Sequence, residues 1–224
     1  MPRPDFIATR IALSVTVALL SAVAPARAQS APAPVAQVAC AFGAFVNETD
    51  PAGLNVRAGP GAAYRVLGTL PPINVSADDP PLRARVEVRV TAGADGWFRI
   101  AGAQDNEALL DAAARPMFKG TGWVSGRKLT VKSQAAVGRQ RPDAQSPAVL
   151  IPKDGIGFDG DAFVDHGRLV ACDGKWAQVE YAIDSELRGN VQIEPAATAG
   201  AEAGRVRAWV DRLCAVQETS CDGG

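Results

Sequence analysis

Two short stretches decide how this chain is read: Asp95-Gly96-Trp97-Phe98-Arg99-Ile100 and, further on, Gly122-Trp123-Val124. Both come back later as Asp173-Gly174 with Trp176-Ala177-Gln178-Val179, and as Ala208-Trp209-Val210. The chain has four tryptophans, and these stretches contain all of them in matched order. Working outward, Gly59-Pro60-Gly61 corresponds to Arg141-Pro142-Asp143, and Arg65-Val66-Leu67-Gly68 to Ala148-Val149-Leu150-Ile151. Self-similarity of this kind marks a duplicated structural unit.

The unit reads as short strands separated by turns. Leu54-Asn55-Val56-Arg57 alternates apolar and polar, which places Leu54 and Val56 inward and Asn55 and Arg57 outward. Val86-Glu87-Val88-Arg89-Val90 has the same period of two. Tyr64 to Leu70, Leu129-Thr130-Val131 and Gly167 to Ala171 add further strands. Asp-Gly and Gly-Pro-Gly punctuate them as turns. The pattern predicts an all-β fold of the small-barrel or sandwich kind. One short helix is expected over Asn106 to Ala114, capped by Asp105 or Asn106 and ended by Pro116. Insertions separate the two tryptophan strands of each copy, at 103–120 and 184–204; the second is rich in Ala, Gly and Glu and is expected to be mobile and unpacked.

Gly53-Leu54-Asn55-Val56-Arg57-Ala58-Gly59-Pro60-Gly61, then Tyr64 to Leu70, Gly96 to Ile100 and Gly122-Trp123-Val124, resembles the bacterial SH3 domains over about residues 42–132. The second copy departs from that pattern. Val137-Gly138-Arg139 replaces the Asn-Val-Arg core, and Ala208 replaces the glycine before tryptophan. The resemblance implies two small SH3-like barrels in tandem, 41–132 and 133–224. It also implies a binding module for peptidoglycan or a cell-envelope protein. A protein-interaction or sensor subunit that takes an extended peptide of a secreted partner is the alternative.

Arg3 and Arg10, the apolar run Ile11 to Ala24 and the triplet Ala26-Arg27-Ala28 have the layout of a cleaved signal peptide, residues 1–28. A flexible Pro/Ala-rich leader is expected over 29–40. No later stretch is apolar and long enough to cross a membrane as a helix, and the chain is expected to be periplasmic or secreted. The net charge of −1 gives no broad pull toward nucleic acid. Cys40, Cys172, Cys214 and Cys221 read as two disulfides. Cys172 with Cys214, and Cys40 with Cys221, is the favoured pairing; Cys214 with Cys221 in a small terminal loop is its rival.

No catalytic constellation, metal set or cofactor motif stands out, and the chain reads as a non-enzyme. A Ser/His/Asp or Cys/His site would need His166, the one histidine, with Asp165 beside it to orient the ring. Val164-Asp165-His166-Gly167 reads instead as a surface turn. The candidate ligand-binding residues are Asn55, Arg57, Tyr64 and Trp97. Tyr64 is expected to be exposed beside a glycine loop that needs unusual backbone angles. Asn55 and Arg57 are expected either to bond a ligand or to fix that loop, and the tryptophans mainly to fill cores.

Overall fold

Strand alternation organises most of the chain between residues 38 and 210. The computed structural model describes residues 35–106, 109, 113–153 and 157–217; the signal-peptide reading and Cys221 lie outside them. The first set of strands is β1 Val38–Val46, β2 Leu54–Arg57, β3 Val66–Leu70, β4 Asn74–Val75, β5 Arg83–Ala84, β6 Glu87–Ala94, β7 Trp97–Gln104, β8 Gly122–Ser125 and β9 Leu129–Thr130. Seven of them form one antiparallel sheet in the order β3-β2-β8-β7-β6-β1-β9, while β4 and β5 pair apart. The second set is β10 Gly138–Arg139, β11 Ala148–Pro152, β12 Gly167–Asp173, β13 Trp176–Ala182, β14 Val191–Ile193 and β15 Arg205–Val210. These form a six-stranded sheet in the order β12-β13-β15-β10-β11-β14.

The class is all-β, as the alternation predicts, but none of the three sheets closes into a barrel. The reason lies at the edges, where closure would require pairing. The first sheet runs on past β6 into β1 and β9, and the second runs on past β11 into β14. The β12 side of the second sheet meets the first set of strands. There Thr130 donates its hydroxyl to the Val164 carbonyl at 2.7 Å, and a side chain at Gly126 would collide with the Leu169 carbonyl. One hydrophobic cluster therefore joins Val46, Val90 and Phe98 to Leu169, Val179 and Tyr181.

Matched residues of the two copies occupy matched places in the ladders. Arg57 pairs with Trp123, and Arg139 with Trp209. Arg99 also pairs with Trp123, and Gln178 with Trp209. The ladder slips between Val56 and Arg57 and again between Gly138 and Arg139. It slips between Val90 and Ala92, and between Leu169 and Ala171, at the same distance from the following tryptophan. An extra residue in one strand re-aims the side chains beyond it. The hairpin turns correspond with a shift of one residue. Asp95 and Gly96 both have positive φ, whereas in the second copy the two loop residues are Gly174, at φ +54°, and Lys175.

Four further expectations are corrected. The insertion 184–204 is built and packed: it holds helix α1 Ser185–Asn190 and β14, and Leu187, Val191 and Ala197 are buried. Asp184 caps that helix by accepting from the Leu187 N–H at 2.8 Å. The favoured disulfide pairing does not form; Cys40 is bonded to Cys172, and Cys214 is bonded as well. Strand β1 begins at Val38, inside the segment read as leader, because Cys40, Phe42 and Ala44 alternate into the core. The tryptophans do not fill the main core. The expected helix at 106–114 falls largely outside the described residues, although Asn106 does accept from the Leu109 N–H at 3.1 Å.

Candidate functional site

Period-two geometry sends Phe98 and Ile100 inward to near-complete burial, and so turns Trp97 and Arg99 outward. On β8, Val124 is the core residue and Trp123 takes the outer face. Trp97 and Trp123 pack with Ala92 and Ala94 in a small cluster of their own, and Val35 rests against it. Trp123 is only 5% exposed, while Trp97 stays half-buried with an accessible face. The slip between Val90 and Ala92 brings the two alanines onto this side, beside the indoles.

Asn55 and Arg57 lie on the same outer face, because Leu54 and Val56 occupy the core side of β2. Three of the four candidate residues thus share one surface across the neighbouring strands β2, β8 and β7. At ordinary strand spacing this surface is about 10 Å wide. Tyr64 stands at its margin in the loop after β2. Arg57 Nη1 donates to the Tyr64 carbonyl at 2.9 Å, which fixes the loop against the sheet.

The loop explains its own composition differently from the sequence reading. Neither Gly59 nor Gly61 is among the residues with positive φ. A Cβ on Gly59 would instead lie 2.4 Å from the Tyr64 ring. The second copy makes the same loop without these glycines. Ala58 N–H donates to the Arg65 carbonyl at 2.9 Å, and Gln140 N–H to the Pro147 carbonyl at 2.9 Å. Gly61 to Gly59 and Tyr64 to Gly61 are matched by Asp143 to Arg141 and Ser146 to Asp143. Arg139 Nη1 donates to the Ser146 carbonyl at 2.9 Å, as Arg57 does to Tyr64. Glycine in the first loop makes room for an aromatic ring, and the backbone does not demand it.

The outer face of the second sheet is of another kind. Glu180 is fully buried there, beside Arg168 Nη2 at 2.5 Å and Arg207 Nε at 2.5 Å. Arg168 also reaches Glu202 at 2.7 Å, and hydrogen bonding to Glu202 and Glu180 raises its pKa against the opposing effect of burial. Trp176 and Trp209 are half-buried on this face.

The remaining candidates are spoken for. His166 Nε2 sits 3.1 Å from Asp184 Oδ2, and its Nδ1 lies 2.9 Å from the Ala162 carbonyl. Asp165 does not orient that ring; it binds the buried Arg85 and the neighbouring Arg83. Cys40, Cys172 and Cys214 are held in disulfides and offer no thiol. Sequence reasoning overlooked Trp123 as an outer-face residue and Glu180 altogether; the signal for the first was Arg99, which pairs with it in the outward frame. No helix among the described residues is long and apolar enough to cross a membrane. No family model, curated protein or solved structure matches the chain.

Proposed function

We propose that this chain is an exported, non-catalytic binding protein that recognises peptidoglycan or another cell-envelope component through the outer face of its first sheet. The observation that carries this reading is the shared surface of Asn55, Arg57 and Trp97 beside Trp123, with Tyr64 at its margin. Flat aromatic faces next to hydrogen-bonding side chains suit rings and extended backbones alike. The resemblance of the sequence motifs in residues 42–132 to those of bacterial SH3 domains supports the assignment. The signal-like N-terminus and the Cys40–Cys172 disulfide support export.

Co-sedimentation with purified peptidoglycan tests the proposal. Wild-type protein is expected in the pellet at moderate salt, Trp97→Ala is expected in the supernatant, and Trp176→Ala is expected to behave as wild type. Wild-type protein that stays soluble overturns the wall reading. A second reading has one observation in its favour: Val35, three residues before β1, rests on the Trp97–Trp123 cluster. On that reading the surface takes an extended apolar peptide of a secreted partner, and a stoichiometric complex with a co-purifying protein, lost in Trp97→Ala, would select it.

A further inference from the structure

A groove of about 840 Å³ opens where β1, β6 and β7 meet the segment that follows β15. It shares no lining residue with the tryptophan surface. Ala41 and Gly43 of β1 lie along it, and Leu213, Ala215 and Val216 supply the apolar wall. The wall is close: a Cβ on Gly43 would lie 2.7 Å from the Ala215 Cα.

Three cations line this groove: Arg89, Lys175 and Arg212. All three are exposed, and none has an ion-pair partner among the described residues. Among the described lining residues Glu87 is the one carboxylate, and it is already engaged by the Gln217 N–H at 2.8 Å and by Asn106. The cations are also spread out. Arg89 stands opposite Gly43 in the ladder, while Lys175 follows Gly174, whose carbonyl accepts from Ala41 N–H. Spread positive charge over an apolar wall fits a linear anion better than a compact one.

The internal repeat shows what Arg89 lacks. Arg89 pairs with Ala101, and Arg168 pairs with Glu180 at the corresponding ladder position. Both partners stand four residues after the tryptophan that opens their strand. In the second copy the arginine is satisfied from within the chain, by Glu180 at 2.5 Å. In the first copy the acid is replaced by a methyl group, and the next residue is Gly102, so the space before the guanidinium is open.

We infer that this groove binds an acidic peptide segment, with a carboxylate side chain of the ligand placed at Arg89 as Glu180 is placed at Arg168. The lining favours a peptide over an anionic glycan. The one aromatic among its described lining residues, Phe42, is buried and offers no face for a sugar ring, while Gln104 and Gln134 provide amides that pair with a peptide backbone.

The test uses fluorescence anisotropy with a labelled alternating Glu-Leu peptide and its Lys-Leu counterpart. The acidic peptide is expected to bind saturably, more weakly as salt rises, and the basic one not at all. Arg89→Gln combined with Lys175→Gln and Arg212→Gln is expected to weaken binding at least about tenfold at unchanged melting temperature, since all three side chains are exposed. Ala101→Glu should give Arg89 an internal partner and weaken binding similarly, whereas Ala101→Gln should not. Trp97→Ala should bind as wild type, which separates this groove from the tryptophan surface. Equal binding of the two peptides, undiminished binding by the triple variant, or preference for polygalacturonate over the acidic peptide would each overturn the inference.

Discussion

The two copies agree in their backbone and disagree in what their outer sheet faces carry. The loops 58–65 and 140–147 repeat one another hydrogen bond for hydrogen bond, each closed by an arginine on the preceding strand. Above that common frame, the outer face of the first sheet carries a half-buried Trp97 packed on the buried Trp123 and two alanines. The second presents a buried glutamate held by arginines. Shared structure therefore resides in main-chain bonds and the arginine that locks them, and divergence resides in the outward frame of β7, β8, β13 and β15. A site on one copy is no argument for a site on the other.

The difference can be broken most forcefully at Glu180. Glu180→Ala leaves Arg168 and Arg207 without their buried partner and is expected to cost about 3–5 kcal/mol in urea denaturation. At the corresponding first-copy position, Ala101→Ser should change stability by less than about 0.5 kcal/mol, because no charge depends on it. A small cost for Glu180→Ala would mean that the second face is not organised around its carboxylate. The shared frame is probed next. Arg57→Ala and Arg139→Ala each remove one charged donor from a loop carbonyl and are expected to cost about 1.5–3 kcal/mol apiece, alike within error. A clear inequality would show that the two loops match in geometry alone.

Among the second-copy changes, the smallest effect is expected at Tyr181. Its hydroxyl is buried with no hydrogen-bond partner among the described residues, and burial pushes its pKa far above the ordinary value. Tyr181→Phe should be neutral or stabilising by about 1 kcal/mol, since the phenol gives up water and gains nothing for it. A marked loss on denaturation would point to a bridging water. The first copy has Gly102 in the corresponding place and is untouched by this change.

Much of the frame was legible in the sequence, since alternation and turn residues act locally. Leu54-Asn55-Val56-Arg57 announces its two faces without help from the rest of the chain. Trp97-Phe98-Arg99-Ile100 is harder, because both frames hold an aromatic. The polarity of Arg99, echoed by Gln178 after Trp176, marks the tryptophan frame as the outward one, and the size of the indole hides that signal. The insertion 184–204 looked unpacked by composition, yet Leu187 on the short helix and Val191 at the start of β14 are both buried and anchor it. The disulfide and the tryptophan surface depend on how the two copies meet and on which strands lie side by side. No pattern within one copy encodes either relation, and the role of Gly59 likewise depends on a ring five residues away.

Cys40 and Cys172 are 132 residues apart, and the bond between them fastens β1 to β12. The exposed stretch 77–82 lies inside that span. A protease that cuts there, or at any other point between the two cysteines, releases nothing: both fragments stay on one covalent thread. The nicked protein would migrate at full size until a reductant is added, and then as two pieces. In a compartment rich in proteases, such a molecule can lose its chain continuity and still keep its parts together.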